Sequence, residues 1–300
     1  MVKRKQYLPI CLTSIGMIIL ILNTKASAAG IKAGIDLVLQ SVIPSLFPLL
    51  FLSTILNNVL IGKSIPFLRP ICNLCGILHG CEGLFLIGMI GGYPVGAQSI
   101  YCAVKDGTID TKTAHRLLGF CSNAGPSFIF GMLSPLFSRH AAVWLLWLIH
   151  IGSALIVGIL LPGKAVQSCE GKSPPPLTIP GALEQSIKTM VLISGWILLF
   201  RMLLSVLQTW IPVDPNNTWY VVIGGLLELS NGCCLLSSVV SEGLRFVLAS
   251  VFLALGGVCV TLQTRSVVKG LGMGSYIPCK ILQGCISAIA AIILYRIVTV

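Results

Sequence analysis

Charge is scarce in this chain. Only 10% of its 300 residues are Asp, Glu, Lys or Arg, and just 9 are acidic. A soluble domain carries about 25% charged residues, so a water-soluble protein of this length is excluded. No HExxH, Walker-type phosphate loop or GxSxG elbow occurs, and Gly91-Gly92 sits in no βαβ setting. The expectation is therefore a protein that is not an enzyme and carries no cofactor. Basic clusters interleaved with aromatics are missing too, which argues against a nucleic-acid partner. Of the 12 cysteines, one pair alone has CxxC spacing, Cys72-Asn-Leu-Cys75. With no second pair, a metal site is not expected, even with His79 and Cys81 nearby. The cysteines read as reduced thiols, several of them acting as small hydrophobes inside apolar segments.

Apolar sequence is abundant. The chain is 55% hydrophobic, with a mean hydropathy of +0.95. Apolar runs of about 20 residues recur, the length a helix needs to cross the hydrocarbon core. The fold class is all-α, a polytopic membrane protein with the lipid bilayer as its first partner. The net charge of +11 then reads as membrane orientation.

The first apolar run, 7–22, comes after Lys3-Arg-Lys5 and precedes Ala26-Ser-Ala28, a pattern shared with signal peptides. An uncleaved first helix is the preferred reading, because the rest of the chain is itself polytopic. Residues 34–60 form the next element, with Pro44 and Pro48 expected to kink it. Residues 83–103 are apolar but interrupted at Gly91-Gly-Tyr-Pro-Val-Gly96, which fits a re-entrant hairpin better than a straight span. A polar helix over 111–120 leads into a second breaker, Cys121-Ser-Asn-Ala-Gly-Pro-Ser127. Further apolar segments lie at 128–137 and 141–161.

Residues 162–180, with Pro174-Pro-Pro176, read as a cytosolic linker. It separates an N-terminal unit, 1–161, from a C-terminal unit, 181–300. The second unit holds a long helix at 183–207, a broken hairpin around Glu228, a span at 244–262 containing Gly256-Gly257, and a final span at 276–298. The order of parts repeats that of the first unit. With the N-terminus in the cytosol, most Lys and Arg fall inside, and the two units enter the membrane in opposite senses. Inverted repeats with discontinuous helices are a transporter architecture. About eight hydrophobic segments result, two of them re-entrant.

The breaks carry the candidate site. Glu228 lies in Ile223-Gly-Gly-Leu-Leu-Glu-Leu-Ser-Asn-Gly232, and a carboxylate at membrane depth is costly enough to be a functional candidate. Broken backbone is tolerated there only in packed protein or beside a wet cavity. Substrate contacts are expected from Gly91, Gly92, Tyr93, Gly96, Gln98, Asn123, Ser127, Ser230, Asn231, Gly256, Gly257 and Gln263. The competing reading is that the glycines only let helices pack closely. Arg201, in Leu198-Leu-Phe-Arg-Met-Leu-Leu204, reads either as an interfacial snorkelling residue or as a counter-ion for Glu228 or a substrate carboxylate. Glu228 itself reads as a carrier of a proton or cation, or as a buried neutral acid. His150 is expected to be a packed helix residue.

These segments resemble the nucleoside-recognition (Gate) domain family, in particular the YlbJ-like sporulation integral membrane proteins. The resemblance rests on Pro44-Ser-Leu-Phe-Pro48, Gly92-Tyr-Pro-Val-Gly-Ala97, Ser122-Asn-Ala-Gly-Pro-Ser-Phe-Ile-Phe-Gly131, Glu228-Leu-Ser-Asn-Gly232 and Gly256-Gly-Val-Cys259, in that order along most of the chain. It implies a fold related to concentrative nucleoside transporters. It also implies a role in endospore formation, with dipicolinate moving across the outer forespore membrane. The chain departs from the family in carrying Gln98 where Lys is usual, and in its short length. The function this implies is transport of a small organic anion, with a coupling cation or proton and an oligomer as further partners. The alternatives are a non-transporting component of a spore-assembly complex and a nucleoside carrier.

Overall fold

The computed structural model describes residues 2–161, 163, 176–211 and 217–299, with backbone only at 2–6, 8–9 and 297–299. Most of the expected linker at 162–180, with Lys164, Glu170, Lys172, Pro174 and Pro175, lies outside the described residues, as does most of the loop at 212–217. The described elements are helical, and no strand occurs among them. Among the described residues, five helical stretches are long and apolar enough to cross a membrane: Thr24–Leu60, His140–Leu160, Ile179–Trp210, Glu242–Val267 and Tyr276–Arg296. Large apolar side chains such as Leu52, Leu148, Val191 and Ile292 stay exposed on their outer faces. Lipid tails are as apolar as leucine and leave no reason to bury them.

Helix α1 (Val2–Leu22) leads into α2 (Thr24–Leu37), a π-helical turn (Val38–Val42) and α3 (Ile43–Leu60). The element expected at 34–60 thus begins at Thr24. Its irregularity is the π turn that precedes Pro44, which sits at the start of α3. Proline brings no N–H and crowds the carbonyl one turn back, and a widened turn absorbs both effects.

The short α4 (Arg69–Leu74) precedes α5 (Glu82–Ile90) and α6 (Val95–Lys105). These two lie antiparallel and touch backbone to backbone: a Cβ added at Gly96 would fall 3.0 Å from Gly88 Cα and 2.2 Å from the Cys121 carbonyl oxygen. Next come α7 (Thr111–Phe120), α8 (Pro126–Leu133) and α9 (His140–Leu160). The Asp110 carboxylate starts α7 by accepting the Thr113 N–H at 2.9 Å, which satisfies one of the unpaired donors at a helix N-terminus.

Helix α10 (Ile179–Trp210) runs antiparallel to the α2–α3 stretch along its whole length. The Thr209 hydroxyl donates to Asn23 Oδ1 at 3.1 Å, Ser205 to the Ala26 carbonyl at 2.7 Å, and Ser186 to Thr54 at 3.4 Å. Then α11 (Thr218–Leu227) and α12 (Leu229–Leu235) form a second antiparallel pair, with a Cβ at Gly232 placed 2.2 Å from Gly225 Cα. Finally α13 (Glu242–Leu255), α14 (Gly257–Val267) and α15 (Tyr276–Thr299) complete the chain. The expected span at 244–262 is two helices meeting at Gly256.

The bundle has two ends. Lys63, Arg69, Lys105, Lys112, Arg116, Arg265 and Lys269 belong to one. That end is tied together by Arg116 donating to the Gly76 carbonyl at 2.7 Å and Ser275 to the His115 carbonyl at 2.6 Å. An Arg69–Glu82 ion pair of 2.8 Å lies there too. The other end holds Arg139 and Arg245, with Ser138 donating to Glu242 at 2.6 Å. One core cluster, including Tyr93, Phe128, Leu229, Phe252 and Val260, joins elements from both halves of the chain.

Candidate functional site

The four interruptions in the helices meet. Gly92 (φ +80°) closes the α5–α6 pair and faces the break between α7 and α8, where a Cβ at Gly125 would lie 3.0 Å from Gly92 Cα. Gly256 and Gly257, with φ of +69° and +76°, break α13 from α14. Two successive left-handed residues are tolerated only because neither carries a Cβ. A Cβ at Gly257 would meet the Leu226 carbonyl oxygen at 2.9 Å, so this break abuts the end of α11. The Tyr93 hydroxyl crosses between halves and donates to the Leu253 carbonyl at 3.3 Å.

A cavity of about 30 Å³ lies where they converge. Tyr93, Ala124, Gly125, Glu228, Ser230 and Gln263 line it, so three breaks contribute directly and the fourth through α14, the helix that follows it, and α10 adds Ile193 and Ile197. That volume holds about one water molecule. Glu228 is the charged residue among those lining it and is 1% exposed. Its backbone is extended, and its two carboxylate oxygens accept the N–H groups of Ser230 (2.9 Å) and Asn231 (2.6 Å). The acid is thus the N-cap of α12, which accounts for the chain turning there.

Arg201 links to this cap through an intermediary. Its guanidinium donates to the Asn231 side chain, and the Asn231 backbone N–H donates to Glu228. Arg201 therefore meets Glu228 through Asn231 and not in a direct ion pair. Gln98 lies elsewhere: it accepts from the Thr189 hydroxyl at 3.1 Å and lines a separate polar cavity with Asn57, Asn58 and Asp106, at the basic end. Gly91 and Gly96 contribute close backbone contacts, against Ile87 and Cys121. The Ser127 hydroxyl is buried with no hydrogen-bond partner. Gln263 bonds the Cys259 sulfur at 3.3 Å while lining the cavity.

Asn123 belongs to a network that the sequence alone does not reveal. Lys280, on α15, is 3% exposed and donates to Asn123 Oδ1 at 3.2 Å and to Gln283 Oε1 at 2.8 Å. Gln283 donates in turn to Asn123 Oδ1 at 3.1 Å. The ammonium lies 5.2 Å from the centre of the Tyr93 ring and 5.9 Å from that of Tyr276, within cation–π range. His150 sits beside this network, its Nε2 accepting the Ala124 N–H at 3.0 Å. It is a packed helix residue that satisfies a donor of the interrupted backbone. The one signal for Lys280 in the sequence is a lone lysine inside an apolar run with Gln three residues on, one face of a helix. Among the described residues no group of three or more His, Cys, Asp or Glu comes together to hold a metal ion.

These features define a multi-pass helical membrane protein with interrupted helices gathered around a buried acid. The chain is similar in sequence to a sporulation membrane protein. It is 25% identical over 302 residues to the sporulation integral membrane protein YlbJ of Bacillus subtilis (strain 168), a match spanning 81% of this chain and 72% of the relative. No protein-family model matches the chain, and no solved structure does.

Proposed function

We propose that the chain is a carrier for a small organic anion, built from two inverted repeats. The observation that carries this reading is the gathering of the helix interruptions around one cavity beside Glu228, three of them lining it and the fourth abutting the end of α11. Discontinuous helices meeting near the midplane, from repeats of opposite sense, are how secondary transporters assemble a site. The antiparallel run of α10 along α2–α3 supports the repeat. So does the pairing of α5 with α6 from the basic end and of α11 with α12 from the other, each pair succeeded by a broken helix. In this reading the two pairs are re-entrant hairpins, the relation is to concentrative nucleoside transporters, and the basic end is cytosolic.

Glu228 supplies the coupling. An anion cannot come to rest beside a buried carboxylate unless a proton or cation comes with it. A cavity with room for about one water holds no organic anion, so loading requires the hairpin tips to part from the broken helices. The relative's sporulation name and the family resemblance make dipicolinate the first cargo to test, at the outer forespore membrane. The test is dipicolinate uptake into proteoliposomes. Wild-type protein gives uptake above empty vesicles, and Glu228→Gln loses most of it while inserting normally. No uptake by folded wild-type protein, with nucleosides also excluded, would sink the carrier and favour a role in a spore-assembly complex.

A further inference from the structure

A cavity larger than the one at Glu228 lies beside the candidate site. On the far side of the same cap, between α2, α10 and the α11–α12 pair, lies a space of about 310 Å³. Gly30, Ala33, Arg201, Gln208, Tyr220 and Asn231 line it. It is some tenfold larger than the cavity at Glu228, at about 310 against 30 Å³. It reaches the size range of small-molecule sites, roughly 300–1,000 Å³.

Its chemistry is that of an anion site. Arg201 is the charged residue in the lining, and among the described residues no carboxylate lines it. One arm of the guanidinium is fixed by the Asn231 side chain, while its Nε is buried and has no hydrogen-bond partner. Gln208 and Tyr220, which bond each other, stand on the adjoining wall. A guanidinium presents its donors as a planar fork that matches a carboxylate or phosphate. At one wall of the space Gly30 lets α2 approach α10: a Cβ there would lie 2.8 Å from the Arg201 carbonyl oxygen.

The geometry points to a second binding site, a vestibule in which Arg201 holds a small oxyanion before it reaches the cavity at Glu228. Asn231 is the shared wall, since its side chain serves Arg201 and its backbone serves Glu228. An anion that takes over the guanidinium releases the Asn231 side chain, and this is how occupancy of the vestibule would be felt at the α12 cap. The inference rests on the carrier reading only for its place on a path. Binding is measured without flux, so the two fail separately.

The test is calorimetric titration of the full chain in nanodiscs of zwitterionic lipid, with dipicolinate and inorganic phosphate as separate probes. Saturable binding of at least one probe is expected, weakened tenfold or more in Arg201→Gln. Ala33→Leu, which fills the space and leaves Arg201 in place, should lose binding to the same extent and covers the case in which Arg201→Gln does not fold. Competition by phosphatidylglycerol added to the discs would support the site and identify a lipid headgroup as its source of oxyanion. Folded wild-type protein that binds neither probe would overturn the site. Binding that survives both Arg201→Gln and Ala33→Leu would overturn it too.

Discussion

Glu228 and Asn231 hold each other across the first turn of α12, the asparagine N–H donating to the carboxylate at 2.6 Å. The same asparagine's side chain takes the Arg201 guanidinium. One residue therefore connects the buried acid to the nearest arginine. The acid's structural duty as a cap and its proposed duty in coupling are separable by substitution. Glu228→Ala removes both cap bonds and should lower stability by about 1–2 kcal/mol. Glu228→Gln keeps one acceptor oxygen and should lose less, while losing uptake. Unfolding midpoints in detergent check this, and equal destabilisation by both variants would contradict it.

Lys280 gives the opposite signature from a structural residue. Its ammonium is buried with amide oxygens and aromatic faces around it, and an unpaired ammonium in such a place costs several kcal/mol. Lys280→Met removes that cost and orphans only Gln283 Oε1, worth about 1–3 kcal/mol. The unfolding midpoint should hold or rise. A large fall would mean that the network is a structural clamp.

The two antiparallel pairs depend on bare backbone where they cross. Gly232→Ala forces a Cβ to within 2.2 Å of Gly225 Cα, where no flexible side chain can yield. Overpacking of this kind costs about 1–3 kcal/mol. Gly152→Ala, on α9, meets nothing within 4 Å and should stabilise by up to about 1 kcal/mol. A thermal-shift comparison of the two variants decides the point, and similar midpoints would refute the close crossing.

Cys72, outside the spanning helices, is pushed up to about 12, chiefly by burial and then by the Glu82 carboxylate beside it. Its thiol stays protonated near pH 8, so alkylation by iodoacetamide should be far slower than in unfolded protein. A raised thiol pKa also sets a sign: the unfolded chain loses this proton first. Stability is untouched below about pH 9 and falls as pH climbs from there toward 12. Fast alkylation of the folded protein at pH 8 would contradict the buried environment.

What could be read from the sequence was local. Gly-Tyr-Pro, Ser-Asn-Ala-Gly-Pro and Gly-Gly cannot continue a helix, so the breaks near 91, 121, 228 and 256 are legible in the residues alone. The polar helix α7 matches its expected bounds of 111–120, because Asp110 and Thr111 announce its start. The early part of α2 was not legible. Its Ala-rich, lysine-bearing run at 24–33 looks like a leader's cleavage region, yet alanine is the strongest helix former.

Long-range placement was harder to see. Gln98 shares a motif with Tyr93, but the helical register of α6 turns it toward Thr189 on α10 and away from the cavity. Lys280 is one turn into the last helix, where a lysine ordinarily serves as an interface anchor. Only the packing of α7, α9 and the Tyr93 tip over α15 makes it a buried cation.

The most direct test of convergence at Glu228 as a substrate path is accessibility. A Ser230→Cys variant in a background without other cysteines places one thiol on the cavity wall. It would be treated with a membrane-impermeant thiol reagent, with and without dipicolinate. The account predicts modification as the cavity opens, at a rate that dipicolinate lowers. A thiol that never reacts in active protein, or that reacts at the same rate with and without dipicolinate, would contradict it.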